Sequence, residues 1–259
     1  EDAIIEALAE KVTNTARSTT ISDGEVSVVT IEHLMSALTG MGVDNALIDI
    51  DNIEVPILDG SARLYVEAIA ADGLEEQDAE RKYITVPEAI ELEDVKTGSG
   101  GGIEPAESLS YELTVDFNSK VLGVQKASWD ESVDYSKEIG ICRTFVFFHE
   151  IEYLFANNLI KGGDVDNAIV IVEHPVTDEQ IQKMSASLGK PALKVESNGY
   201  LDNLKLHFEN ECGRHKLLDL IGDLRLTGGY LQAGIKAFKP GHGINTITAK
   251  ALREAIKKQ

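Results

Sequence analysis

Cysteine is nearly absent from this chain: only Cys142 and Cys212 occur in 259 residues. Two thiols in so long a chain do not make a disulfide framework, and with no CxxC pair no thiolate zinc knuckle is expected. A reducing cytoplasm is the default compartment. Long apolar runs are also missing, and none reaches the ~18–20 residues of a membrane-spanning helix. The opening text EDAIIEALAE has no basic n-region of the kind that begins a signal peptide. Basic residues are scarce, 24 Lys and Arg against 44 Asp and Glu, for a net charge of -20. Such a surface repels phosphate backbones, which excludes nucleic acid as a partner, and an anionic small substrate would need a local basic patch. What is present is ordinary for a globular protein, with 43% hydrophobic and 26% charged residues. The length suits one large domain or two modest ones.

The pattern along the chain mixes helices with strands in both halves, which predicts an α+β fold. Asp2–Lys11 reads as a short helix, Ser22-Asp23-Gly24 as a turn and Glu25–Thr30 as a strand. IEHLMSALTGMG is helical and stopped by Gly40 and Gly42, NALIDIDN from Asn45 reads as a strand, and Leu64–Ala71 reads as a helix. The polar stretch Ala71–Lys82 sets a domain boundary near residue 79, giving domains 1–78 and 79–259. Lys82–Val95 reads as strands, and Thr97–Gly102 as a flexible hairpin loop. Leu109, Tyr111, Leu113, Val115 and Phe117 alternate as the buried face of a strand. Further on, a buried strand begins at Asn167, helices cover Asp178–Leu188, Glu211–Leu226 and Thr246–Lys258, and Gln232–Phe238 is a strand. His33 and His215 each open a helix, glycine turn and strand, a weak internal echo of two related halves.

The segment at 211–226 carries the sharpest chemistry. At about 100° per residue, Leu217, Leu218, Leu220, Ile221 and Leu224 share the apolar side. His215, Asp219 and Asp223 fall at i, i+4 spacing in one row on the polar side, with Lys216 beside it. An HxxxD pair on one helical face can hold a divalent metal, but a catalytic zinc takes three protein ligands and an open position. Spacing alone leaves a solvated helix face as the commoner meaning of such a pair. Among the other histidines, His33 stands out because Glu32 precedes it, so that a metal ligand and a carboxylate base lie together. His242, in KPGHGIN, is expected on an exposed glycine-flanked loop, free to act as general acid or oxyanion stabiliser, with Asp223 holding its ring.

Taken together, six blocks in one order resemble the UDP-3-O-acyl-N-acetylglucosamine deacetylase family of lipid A biosynthesis. They are VSVVTIEHLMSALTGMGVDNALIDI, VPILDGSA, CRTFVFFHEIEYL, LIKGGDVDNAIVI, NECGRHKLLDLIGDL and KPGHGIN. The wording of RTFVF and NECGRHKLLD is most similar to the form fused to a downstream acyl-carrier-protein dehydratase. The resemblance implies two βα domains of similar topology, with helices sandwiched between two sheets. It implies a Zn2+ cofactor held by His33, His215 and Asp219, Glu32 as general base, and His242 with its partner Asp223 as the second catalytic group. Thr144 would polarise the scissile carbonyl and Lys216 would help bind substrate. Phe145 and the Gly162-Gly163 loop would lie near the sugar and the acyl passage, Phe145 being equally consistent with core packing. Arg143 or Lys239 would add to a basic patch for the diphosphate. The substrate implied is UDP-3-O-acyl-N-acetylglucosamine and the product acetate. Family members begin with a further block of strands, so domain one is expected to be incomplete at its start. Two rivals stand beside this expectation: a zinc hydrolase of another amide or ester, and a catalytically inactive nucleotide-sugar-binding fragment.

Overall fold

The computed structural model describes residues 3–151, 166–187, 189–190 and 192–257. Among them, helices and several sheets are mixed, the α+β class expected. Strands β1 (Val12–Asn14), β2 (Thr20–Asp23) and β3 (Val26–Val28) form an antiparallel three-stranded sheet. Gly24, at φ 59°, makes the left-handed turn between β2 and β3. Helices α1 (Glu32–Gly40) and α2 (Arg63–Asp72) follow.

The larger sheet holds β4 (Tyr83–Thr85), β5 (Ile90–Asp94), β6 (Ser99–Pro105), β7 (Ser110–Asp116), β8 (Val124–Asp130) and β11 (Tyr230–Phe238). Its order is β5-β6-β11-β7-β8, with β4 parallel to the start of β11. A short helix, α3 (Tyr135–Glu138), leads towards a small parallel pair, β9 (Phe145–Phe147) with β10 (Ile169–Ile171), which is followed by α4 (Asp178–Ser187). Helix α5 (Glu211–Leu224) packs against β7 and β8 on one side, α1 on another and α6 (His242–Lys257) on a third. The main core runs continuously through these elements, from Ile21, Met35 and Leu38 to Tyr111, Leu113, Leu217, Leu218, Ile221 and Leu252. No helix among the described residues is long and apolar enough to cross a membrane.

Four sequence-based expectations need correction. From Ala3 to Leu8 the first segment has no regular structure, and only Ala9–Lys11 forms a 3-10 turn. Ile5, Ala7 and Ala9 face the core at alternate positions, so the period is two and no helical stripe exists. The stretch from Asn45 is not a strand, and Leu47, Ile48 and Ile50 are exposed. Apolar β-formers report fitness for a pleated, half-buried surface; with no ladder partner among the described residues and no face to bury, they do not make a strand. The glycines Gly100–Gly102 belong to β6 and the turn lies before them, with Gly98 at φ 67°. A Cβ at Gly100 would drive into the Leu92 carbonyl, and one at Gly101 into the Lys236 carbonyl, so close strand approach explains the run. Lastly, α6 starts at His242 rather than Thr246, because the reversal at Lys239 (φ 49°) and Pro240 ends β11 just before it.

Gly222 sets how closely α1 meets α5. A methyl group there would collide with the Glu32 carbonyl and crowd the Ser36 amide. Alanine is intrinsically better than glycine in a helix by about 1 kcal/mol. Gly222→Ala is nonetheless expected to lower unfolding free energy by about 1–3 kcal/mol, the usual range for overpacking. Urea denaturation checks this, with Gly241→Ala, whose Cβ would meet open space, as a control expected within about 0.5 kcal/mol of the parent.

Candidate metal centre and active site

The α1–α5 contact brings two imidazoles and a carboxylate to one point. His33 is the second residue of α1, while His215 and Asp219 lie one turn apart on α5, and all three are buried. Their donor atoms all lie within 4.8 Å of one another. Asp219 Oδ1 stands 3.5 Å from His33 Nε2 and 3.4 Å from His215 Nε2. Those separations are too long for good hydrogen bonds, and Asp219 Oδ1 is a buried oxygen that no donor among the described residues serves. A buried carboxylate oxygen normally has such a donor. The donor set, two nitrogens and one oxygen, fits a zinc-type divalent ion with an open position. The polar row read as a solvated helix face is therefore buried, and α5 is enclosed almost all round.

Neighbouring groups fix the orientation of these ligands. His215 Nδ1 donates to the Cys142 carbonyl at 3.0 Å, which leaves Nε2 as the lone-pair nitrogen facing the cluster. Burial pulls the pKa of His215 down to about 4, so its ring is neutral and able to ligate. Asp219 Oδ2 accepts from Lys216 Nζ at 2.8 Å. Burial alone would raise Asp219, but the Lys216 ammonium and the nearby histidines hold it well below the usual carboxylate range. Burial would likewise lower Lys216; attraction to Asp219 prevails and raises it.

A second constellation adjoins the first. Glu32 opens α1, where the helix dipole favours an anion. Burial still raises its carboxyl above the ordinary glutamate value, with the positive charge of His242 opposing. Glu32 Oε2 accepts from the Thr19 amide at 3.0 Å, while Oε1 lies 3.8 Å from His242 Nε2. His242 is not on an exposed loop as expected; it is buried as the first residue of α6. Its Nδ1 donates to Asp223 Oδ2 at 2.9 Å. Burial works against the charged ring, but Asp223 outweighs it and lifts His242 to about 9. One histidine neutral at pH 7 and another cationic, beside a carboxylate, give adjacent groups opposite proton roles.

The remaining sequence-predicted residues are placed unevenly. Thr144 is half-buried just before β9, its amide donating to the Gly60 carbonyl at 2.7 Å. Phe145 meets the His215 ring edge-on at 6.3 Å between centroids and also packs on Phe117. Gly162 and Gly163 lie outside the described residues. Arg143 is not part of a surface basic patch: it is buried in a two-toothed ion pair with Glu211. That pair pins the segment carrying the Cys142 carbonyl. Lys239 is taken up by Asp116 at 3.5 Å. Sequence reasoning missed Thr19, Asn245 and the Cys142 carbonyl. Asn245, three residues after His242 on α6, could have been found from that spacing; a backbone carbonyl leaves no signal.

The comparisons with known proteins agree with the geometry. The profile of the family described as UDP-3-O-acyl N-acetylglycosamine deacetylase matches residues 1–188 and 179–254. A bifunctional enzyme LpxC/FabZ of Porphyromonas gingivalis is 43% identical over 98% of this chain and 55% of its own length. One from Bacteroides thetaiotaomicron is 42% identical over 98% of this chain and 55% of its own length. A UDP-3-O-acyl-N-acetylglucosamine deacetylase of Teredinibacter turnerae is 36% identical over 98% of this chain and 76% of its own length. The chain thus spans about half the length of the bifunctional relatives it matches.

The two histidines predict opposite limbs of stability against pH in metal-free protein. His242, raised to about 9, contributes stability that is whole below its unfolded value near 6.5 and is lost as pH rises from there through about 9. His215, lowered to about 4, stays neutral when folded while the unfolded chain takes up its proton, so stability falls as pH drops from about 6.5 towards 4. Urea midpoints from pH 4 to 10 should peak near pH 6–7, and His242→Gln should flatten the alkaline limb only.

Proposed function

This chain belongs to the UDP-3-O-acyl N-acetylglycosamine deacetylase family, and from that premise we propose that it is a zinc-dependent amidohydrolase. Its substrate is UDP-3-O-acyl-N-acetylglucosamine, from which it releases acetate in lipid A biosynthesis. The observation that carries this proposal is the unserved oxygen Asp219 Oδ1 between two imidazole nitrogens, with Glu32 and His242 beside it. In this reading His33, His215 and Asp219 would hold the zinc, which would supply Lewis acidity for amide hydrolysis.

The chain's own groups then divide the work. Glu32 uses Oε1, the oxygen not taken by the Thr19 amide, to accept a proton from the attacking water. His242, kept cationic by Asp223, donates through Nε2 to the developing oxyanion, where a preorganised cation in a dry site is effective. The proton taken up by Glu32 then passes to the leaving amine as the C–N bond breaks, and acetate departs. Thr144 polarises the scissile carbonyl, and Phe145 walls the sugar beside His215. Lys216, a local cation inside an acidic protein, binds polar groups of the substrate as well as Asp219. Gly162 and Gly163 are assigned to the acyl passage on resemblance alone. We also assign residues 1–78 and 79–259 to two domains that contribute Glu32 with His33 and His215 with Asp219 and His242. A cytoplasmic setting accords with the two buried free thiols, and likeness to bifunctional relatives supports a dehydratase partner in the same polypeptide.

The test is acetate release from the UDP-sugar, with bound zinc measured alongside. Chelation should abolish release and added Zn2+ restore it. His33→Ala and His215→Ala should each lose the metal. Glu32→Gln and His242→Ala should keep it yet lose about 10²–10⁴ in kcat, the usual worth of general acid–base catalysis. Undiminished turnover in Glu32→Gln would overturn the assignment, and release of acetate only from unrelated amides or esters would favour a different hydrolase.

A further inference from the structure

Thr19 has all three of its polar groups in use at the site. It is fully buried just before β2. Its amide donates to Glu32 Oε2 at 3.0 Å, and its hydroxyl donates to Asp223 Oδ1 at 2.6 Å. Its carbonyl accepts from the amide of Ile31, the residue immediately before α1, at 3.3 Å. One residue therefore grips the start of α1, the carboxylate of Glu32 and the carboxylate of Asp223, 204 positions along the chain.

We propose that Thr19 is the positioning residue that registers the proton-accepting carboxylate against the Asp223–His242 pair. The proposal rests on the catalytic roles given above to Glu32 and His242. The geometry makes two oxygens inequivalent in each carboxylate. Glu32 Oε2 is tethered, so Oε1 is the oxygen left towards His242 Nε2. Asp223 Oδ2 receives His242 Nδ1 at 2.9 Å and Asn245 Nδ2 at 2.8 Å, while Oδ1 receives the Thr19 hydroxyl. With that donor gone, a fully buried carboxylate oxygen loses its hydroxyl partner, and the carboxylate gains a torsional freedom that passes directly to the imidazole it orients. A side-chain substitution leaves the amide in place, so it isolates the Asp223 half of the link. If Thr19 served only to fill space, valine, which has the same shape without the hydroxyl, would serve as well.

Thr19→Val is expected to lower kcat about 10- to 100-fold, with KM within about twofold and zinc content unchanged, as for other groups that orient a reacting side chain. Thr19→Ser, which keeps the hydroxyl, should stay within about threefold of the parent. In an Asp223→Ala background, adding Thr19→Val should cost less than about twofold more, because the partner is already gone. A readout independent of turnover is the imidazole 15N–1H spectrum of metal-free protein. The hydrogen-bonded Nδ1–H resonance of His242 should be single in the parent and in Thr19→Ser, and shifted or broadened in Thr19→Val. If Thr19→Val does not fold, Thr19→Ala removes the same hydroxyl with less bulk and carries the same expectation. Parent-like kcat and an unmoved His242 resonance in the hydroxyl-free variant would overturn the proposal, as would equal impairment of Thr19→Ser and Thr19→Val. Should the parent release no acetate from the UDP-sugar, the deacetylase reading fails, while the His242 resonance still decides the role of Thr19.

Discussion

The close crossing of α1 and α5 at Gly222 is the constraint on which the site depends. Helix axes normally stand 8–10 Å apart, depending on the side chains between them, and a glycine lets the backbone of one helix rest on the other. Here the Glu32 carbonyl rests where a Gly222 side chain would be. That contact sets the height of Glu32 and His33 along α5, and so sets whether His33 reaches Asp219, one turn before Gly222. Packing and chemistry are the same contact, since Leu218, Ile221 and Leu38 bury the apolar side of the interface that the polar cluster completes.

The electrostatics follow from placing charge where water does not reach. Glu32, Asp219 and Asp223 are all buried in a chain that already carries an excess of 20 negative charges. Three carboxylates in one low-dielectric region repel one another, and each is offset differently. Asp219 has Lys216, Asp223 has His242, Asn245 and Thr19, and Glu32 has a helix N-terminus and the Thr19 amide. The consequence is a graded set. Asp219 is firmly ionised, His242 is cationic, His215 is neutral and the Glu32 carboxyl is raised by burial. A carboxyl raised in this way lies nearer the working range of a proton acceptor than Asp219 does.

Much of this was legible in the residues, and the illegible parts have physical causes. The i, i+4 row of His215, Asp219 and Asp223 follows from helical geometry, and the pairing of Glu32 with His33 follows from adjacency. Their convergence does not, because a distance between α1 and α5 is set by Gly222, and a helical glycine carries no sign of what presses on it. The apolar periodicity of α5 marks burial on one side only, although nearly the whole helix is buried. The opposite side looked solvated because it was polar, whereas it is buried because its polar groups serve one another. Likewise the glycines of β6 looked like a flexible loop, although they are there for the close approach of Leu92 and Lys236. Thr19 was invisible since a threonine followed by β-formers is an ordinary strand start, and two of its three contacts are made by its backbone.

A site built this way lowers the stability of the protein that contains it. An acceptor buried without a donor costs about 1–3 kcal/mol, more when charged, against a total stability of about 5–15 kcal/mol for a domain. Among the described residues Asp219 Oδ1 is such an acceptor, and His33 Nδ1 is a second buried atom without a partner. A ligand that binds only the folded chain returns stability in proportion to the logarithm of its concentration over Kd, about 4.1 kcal/mol at a thousandfold excess. A divalent ion held at that oxygen would recover this cost, and affinity for it would be greater by the same amount. By contrast Asp223, whose oxygens have three protein donors, gains little from any added ligand. The two aspartates one turn apart on α5 are chemically alike, and the number of donors around each leaves one with an oxygen open to a cation while the other holds a histidine.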